Sequence, residues 1–209
     1  VNPTSIRERL TAQRVVPVLR LATAPDTERA VSCLWEAGFT TFEITLTTPG
    51  AVGLIAALRA RFGAGALVGA GTVLELDAAR RCIEAGAQFL VSPCLVPGLA
   101  ALAHVENRAA LIGAFTPGEV LAADREGADI VKVFPASLGG PGHLGALHAV
   151  FPHIALCPTG GVSLDNMKSY FAAGARLVGV GNNIVDIAAL QAGDLERVAA
   201  HARRYLAAA

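Results

Sequence analysis

One four-residue punctuation recurs along this chain. Glu36-Ala37-Gly38-Phe39, Glu84-Ala85-Gly86-Ala87, Arg125-Glu126-Gly127-Ala128 and Ala172-Ala173-Gly174-Ala175 each close a helical stretch and open an apolar strand. A glycine just past a helix suits the left-handed C-terminal position, so the motif marks a helix-to-strand junction repeated as one architecture. Strand-like runs fall at Val15–Leu21, Thr41–Leu46, Ala66–Val73, Phe89–Cys94, Ala109–Ala114, Ile130–Pro135, Ile154–Thr159 and Leu177–Gly181. Helical patterns lie between them, among them Asp26–Ala37, Ala51–Arg61, Leu76–Ala85, Gly118–Glu126 and Leu164–Ala173. Strands alternating with helices mean a parallel sheet. Eight units of similar length point to a (β/α)₈ TIM barrel, one domain over residues 1–209, with an extra helix before the first strand and an Ala-rich helix from Asp194 onwards. The competing architecture is a doubly wound open sheet. It is disfavoured because Arg20-Leu21-Ala22-Thr23 follows the first strand where a dinucleotide fold carries Gly-x-Gly-x-x-Gly.

The charges narrow the function. The 209 residues are 53% hydrophobic and 16% charged with a formal net charge of zero, and no basic run exceeds Arg80-Arg81 or Arg203-Arg204. That offers no footprint for nucleic acid or an anionic membrane. No apolar stretch reaches the length of a membrane span, and Ser5-Ile6-Arg7-Glu8-Arg9-Leu10 is too charged for a secretory signal, so a cytoplasmic protein is expected. Cys33, Cys82, Cys94 and Cys157 stand singly, and the histidines lack ligand spacing; reduced thiols and no metal are expected.

Against this background Lys132 stands out. It is one of two lysines and sits in Ile130-Val131-Lys132-Val133-Phe134-Pro135, where an ammonium must find a partner or give up its proton, since burial disfavours the charged form. An uncharged amine in such a place is what Schiff-base chemistry on a ketone requires; a lysine whose stem packs while its head reaches a strand end is the plain alternative. In Thr41–Leu46 the alternation separates Phe42, Ile44 and Leu46 from Glu43, Thr45 and Thr47. If the oily face meets the helices, Glu43 points into the barrel, and because interior layers are built from alternate strands it can reach Lys132 across it. The pair is then either a structural ion pair or a nucleophile with its acid/base partner.

Glycine-rich segments surround these residues. Gly69-Ala70-Gly71-Thr72-Val73 ends the third run, with the Thr72 hydroxyl available to a carboxylate or phosphate. Pro158-Thr159-Gly160-Gly161-Val162-Ser163 and Gly179-Val180-Gly181-Asn182-Asn183 close the seventh and eighth, the usual place of a phosphate cradle in this barrel type. Arg20 ends the first run, where a guanidinium can clamp an anion or simply pair with a surface acid. Phe134 can wall an iminium or be ordinary core. Lys168 reads as solvated.

Lys132-Val133-Phe134-Pro135-Ala136, Cys157-Pro158-Thr159-Gly160-Gly161-Val162, Gly69-Ala70-Gly71-Thr72-Val73 and Phe42-Glu43-Ile44-Thr45-Leu46, in this order of motifs, closely resemble the 2-keto-3-deoxy-6-phosphogluconate / 4-hydroxy-2-oxoglutarate aldolase family from about Val15 to about Asp186. The resemblance implies a metal-independent, cofactor-free class I aldolase. Such an enzyme, commonly a homotrimer, cleaves a 2-keto-3-deoxy-6-phospho sugar acid of gluconate or galactonate type to pyruvate and glyceraldehyde 3-phosphate. It further implies Lys132 as the Schiff-base lysine, Glu43 as general acid/base, Thr72 near the pyruvyl carboxylate, Thr159, Gly160 and Gly161 on the phosphate side, and Arg20 serving the anionic groups. Two positions depart from the pattern. Thr47 stands where gluconate-type members carry an arginine for the carboxylate, and Asn182 where a serine faces phosphate; Thr47-Thr48-Pro49 is nearer the galactonate type. The alternatives are cleavage of 4-hydroxy-2-oxoglutarate to pyruvate and glyoxylate, a phosphate-binding barrel isomerase, and a non-catalytic binder of phosphorylated sugar acids.

Overall fold

The computed structural model describes residues 2–209. Eight parallel strands form one sheet in the order β7-β6-β5-β4-β3-β2-β1-β8. They are β1 (Val15–Leu19), β2 (Thr41–Thr45), β3 (Leu67–Gly71), β4 (Phe89–Val91), β5 (Ala109–Ala114), β6 (Ile130–Val133), β7 (Leu156–Pro158) and β8 (Val178–Val180). A parallel bridge between Thr159 and Gly179 joins the two ends of that order. The chain is therefore a (β/α)₈ barrel.

Helices α2 (Ala24–Glu36), α3 (Ala51–Phe62), α4 (Leu76–Glu84), α5 (Leu99–Val105), α6 (Pro117–Arg125), α7 (Ala136–Val150) and α8 (Met167–Ala172) each follow a strand. Their starts are written in the sequence: Thr116 accepts from the Glu119 N–H while Glu119 reaches back to the Thr116 N–H, and Pro117 opens the first turn of α6. Helix α1 (Pro3–Gln13) precedes the barrel. After β8 come a 3₁₀ turn (Asn182–Ile184), α9 (Ile187–Ala192) and α10 (Leu195–Ala207), the last capped by Asp194.

Period-two alternation sorts the strand side chains into two cores. Phe42 and Ile44, with Val68, Ala70 and Ile112, face outwards against Leu34, Ile55 and Leu58 of the helix layer. Val16, Leu67, Phe89, Leu111, Ile130 and Leu177 face inwards, where Ile6 and Leu10 of α1, both fully buried, plug the N-terminal end. The upper interior is cleared by glycines. A Cβ on Gly69 would lie 2.3 Å from the Phe89 ring, and one on Gly71 would lie 2.0 Å from Glu43 Oε1, so the barrel keeps a large ring and a carboxylate where branched aliphatics usually close the layer.

Most strands are shorter at their C-terminal ends than the apolar runs suggest, for local reasons. Thr72 turns to φ 60° and ends β3 before Val73. Pro93 and Pro135 have no N–H to extend the ladders beyond β4 and β6. Helix α8 starts at Met167 rather than Leu164 because the Ser163 N–H donates to Asn166 Oδ1 and the Asp165 N–H to Ser163 Oγ, which folds those residues into a turn.

Candidate active site

Lys132 projects inwards from β6, in register with Gly113 of β5 and Cys157 of β7; Glu43 projects inwards from β2, in register with Val18 of β1 and Gly69 of β3. Their ends meet, with Lys132 Nζ 3.6 Å from Glu43 Oε1. Lys132 is 5% exposed and Glu43 3%. The gap exceeds a normal hydrogen bond, and Glu43 Oε1 has no hydrogen-bond partner among the described residues. An unpaired oxygen on a buried carboxylate costs on the order of 1–3 kcal/mol or more, so this one calls for a partner such as a water or a bound ligand.

Lys132 opens onto a cavity of about 360 Å³ at the C-terminal end of the strands. Arg20 and Val18 line it from the β1 side, Phe134 from beyond β6, Thr159 to Val162 from the loop after β7, and Gly181 to Asn183 from the loop after β8. The Phe134 ring centroid is 5.4 Å from Lys132 Nζ. Its edge also sets the loop after β7, since a Cβ on Gly160 would sit 3.2 Å from Phe134 Cε2. Gly160 and Gly161 have φ 90° and 80°, a pair of left-handed residues that only glycine adopts freely. Among the described residues the N–H groups of Gly161 and Val162 donate to no backbone carbonyl, while their carbonyls accept from the side-chain amides of Asn166 and Asn183 at 2.9 and 3.1 Å. Free N–H groups with engaged carbonyls make a concavity suited to an anion.

Arg20 Nη2 donates to Thr72 Oγ1 at 3.4 Å. A β-branched residue at positive φ costs about 1–3 kcal/mol and concentrates where function fixes the backbone. Cys157 lies in the same wall, its Sγ 3.8 Å from Thr159 Oγ1. Burial pushes that thiol up to about 12, outweighing the opposing hydrogen bond from Thr159, so at neutral pH it is a protonated thiol and not a competing nucleophile.

Of the residues singled out in the sequence, Lys132, Arg20, Phe134, Thr159, Gly160, Gly161, Gly181 and Asn182 border this cavity. Glu43 and Thr72 reach it through Lys132 and Arg20. Thr47 does not border it. Its hydroxyl bonds to that of Thr45 at 3.0 Å, and the residue is exposed beside Thr48 and Arg81 in a separate depression. Val18 and Asn166 were not anticipated; Val162 and Asn183 fall within the two glycine-rich segments but were given no role of their own. Ser163-x-x-Asn166 at a strand-to-helix junction is a turn signal that marks Asn166; Asn183 was marked only by its place at the end of the glycine-rich segment after the eighth strand. Among the described residues no group of three or more His, Cys, Asp or Glu side chains is placed to hold a metal ion, and no helix is long and apolar enough to cross a membrane.

The family model for KDPG and KHG aldolase matches residues 6–201. The chain is 36% identical over 184 residues to a probable 2-dehydro-3-deoxy-6-phosphogalactonate aldolase of Rhizobium meliloti (strain 1021), covering 88% of this chain and 86% of the relative. It is 35% identical over 201 residues to the KHG/KDPG aldolase of Escherichia coli (strain K12), with 96% and 94% covered. Among solved structures, the KDPG aldolase from Legionella pneumophila, with pyruvate captured at low pH as a covalent carbinolamine, superposes with a TM-score of 0.86 at 28% identity, covering 94% of this chain and 96% of that one. A barrel with an inward lysine beside an unpaired carboxylate, opening on a glycine-lined cavity, thus comes with relatives of matching length: the chain belongs to the KDPG and KHG aldolase family of carbon–carbon lyases.

Proposed function

We propose that Lys132 is the Schiff-base nucleophile and Glu43 the proton shuttle of a class I aldolase that cleaves a 2-keto-3-deoxy-6-phospho sugar acid to pyruvate and glyceraldehyde 3-phosphate. The observation that carries this reading is the buried pair, 3.6 Å apart, with one carboxylate oxygen left unpaired. The Lys132 amine, free of its proton, adds to the C2 ketone; the carbinolamine loses water and leaves an iminium. Glu43, directly or through a water, takes the C4 hydroxyl proton, and the C3–C4 electron pair flows into the iminium as the aldehyde departs. The resulting enamine is reprotonated at C3, and hydrolysis returns pyruvate and the amine.

The lining of the cavity supports an assignment of the substrate's two ends. Arg20, with Thr72 held at its side, takes the carboxylate that an arginine at position 47 would otherwise hold. The Gly160–Val162 loop and Asn182 take the 6-phosphate, as anion-binding loops after the seventh and eighth strands do. Phe134 keeps water from the iminium. The exposed Leu74, Leu95 and Leu138 lie on the loops after β3 and β4 and at the start of α7, and support assembly as a homotrimer, read directly by light scattering. A cytoplasmic site of action belongs to the same reading and agrees with four free thiols.

Kinetics on a panel of keto-acids test the substrate. Pyruvate release from the 6-phosphorylated compounds, with a kcat/KM well above that for 4-hydroxy-2-oxoglutarate, is expected. Equal efficiency with and without phosphate contradicts the phosphate assignment, and no pyruvate from any of them contradicts the reaction.

A further inference from the structure

The cavity's phosphate side is tied to the far C-terminal helix by hydrogen bonds that the reaction scheme does not use. Asn183 follows Asn182 in the turn after β8. Its backbone carbonyl accepts from His201 Nε2 at 2.8 Å and from the Tyr205 hydroxyl at 2.9 Å. Its side-chain amide donates to the Val162 carbonyl at 3.1 Å. One residue therefore joins the loop after β7, the turn after β8 and helix α10. His201 and Tyr205 are one helical turn apart on α10, on the same face, and their rings meet edge-on with centroids 5.7 Å apart. A carbonyl has two lone pairs, and here both are taken, so the Asn183–Ile184 peptide, one residue beyond Asn182, is held from two directions. Because that carbonyl only accepts, His201 carries its proton on Nε2. A phenol is protonated and able to donate at neutral pH, and burial moves that of Tyr205 further in the same direction.

We infer that His201 and Tyr205 are positioning residues for the phosphate side of the cavity: by fixing the Asn183 carbonyl they set Asn182 and, through the Asn183 amide, the Gly160–Val162 loop. The inference rests on the phosphate assignment above and adds to it the element that holds the cradle in shape. Lys132 and Glu43 come from β6 and β2 and share none of these bonds, so the brace acts on phosphate recognition and not on the carbon–carbon bond. A cradle assembled from two loops binds a dianionic phosphate end group well only while the loops keep their spacing, and each loosened bond is felt in affinity.

The test is steady-state kinetics on the full chain with the 6-phosphorylated keto-acid and its unphosphorylated counterpart. The variants are Tyr205→Phe, His201→Met and the two combined, with thermal unfolding followed in parallel. The double variant should raise KM for the phosphorylated substrate roughly tenfold, the effect of leaving one carbonyl without its donors, while kcat and the KM for the unphosphorylated substrate stay within about twofold. His201→Gln, which can donate through its amide, should restore most of the loss. An unchanged KM, or an equal change with both substrates, overturns the brace. If the double variant does not fold, the His201→Met and His201→Gln pair decides on the same criteria. Wild-type protein that treats both substrates alike would instead remove the phosphate assignment, a failure distinguishable from the loss of the brace alone.

Discussion

Lys132 Nζ and Glu43 Oε1 stand 3.6 Å apart inside the barrel, close enough to attract and too far to share a good hydrogen bond. A purely structural buried ion pair gains from closing that gap, because its desolvation is offset only by excellent geometry. Here the Lys132 side of the pair borders a cavity, with Glu43 buried behind it. The two groups are placed to act on a third. Replacing Glu43 by Gln keeps the shape and removes the proton acceptor. Turnover should fall about 10²–10⁴-fold, with the covalent adduct of pyruvate still forming slowly; stopped-flow and single-turnover assays separate the two steps.

Gly71 makes room for that carboxylate, since a Cβ there would lie 2.0 Å from Glu43 Oε1. Gly71→Ala should displace the Glu43 head and destabilise the fold by about 1–3 kcal/mol. Activity should drop by at least as much as in Glu43→Gln, and denaturant titration beside a kinetic assay checks both. A variant with full activity would mean that the Glu43 position is immaterial.

Arg20→Ala should raise KM for the keto-acid about 10–100-fold with a smaller effect on kcat, the loss of charge-assisted bonds worth about 1.5–3 kcal/mol. Thr47→Arg is the complementary change. Thr47 lies in the turn after β2 and faces a neighbouring depression, so the new guanidinium has to reach over the rim and should recover at most a small part of the affinity lost in the Arg20→Ala background. Initial-rate measurements on the single and double variants read the coupling.

The thiols respond to pH in a direction fixed by burial. Burial raises Cys82 from 9.0 to about 11 and Cys157 from 9.0 to about 12. The unfolded chain releases these protons near 9.0, whereas the folded one retains them. Their contribution to stability is thus complete below about pH 9 and is lost as pH rises through about 11–12. Urea midpoints should fall across that window. At neutral pH, Cys94, the one exposed cysteine among the described residues, should alkylate rapidly while Cys33, Cys82 and Cys157 are protected; mass mapping of the modified peptides checks this.

Much of this site is legible in the sequence because its key residues violate the pattern around them. A glutamate in Phe-Glu-Ile breaks an alternation that gives its direction, and a lysine in Ile-Val-Lys-Val breaks an apolar run, so their meeting is expected once both strands are given the same interior parity. The left-handed glycines after the seventh strand are visible for a similar reason. Less legible are contacts that depend on distant backbone. Nothing local to Asn183 announces that its carbonyl receives His201 and Tyr205, 18 and 22 residues onward. Thr47 was associated with the site by its position on β2, but the end of the strand carries its side chain into a neighbouring depression. Strand ends were overestimated for the same reason: apolar character continues past the last ladder bond wherever proline or a positive φ, as at Thr72, stops the pairing.

The central claim is that Lys132 becomes covalently attached to a ketone. Incubation with pyruvate and borohydride, followed by peptide mass spectrometry, measures it directly. The account requires a reduced pyruvyl adduct on the peptide containing Lys132, absent from Lys132→Met, which should also be inactive. Folded, unmodified Lys132 after that treatment, or a Lys132→Met protein that still cleaves substrate, would contradict it.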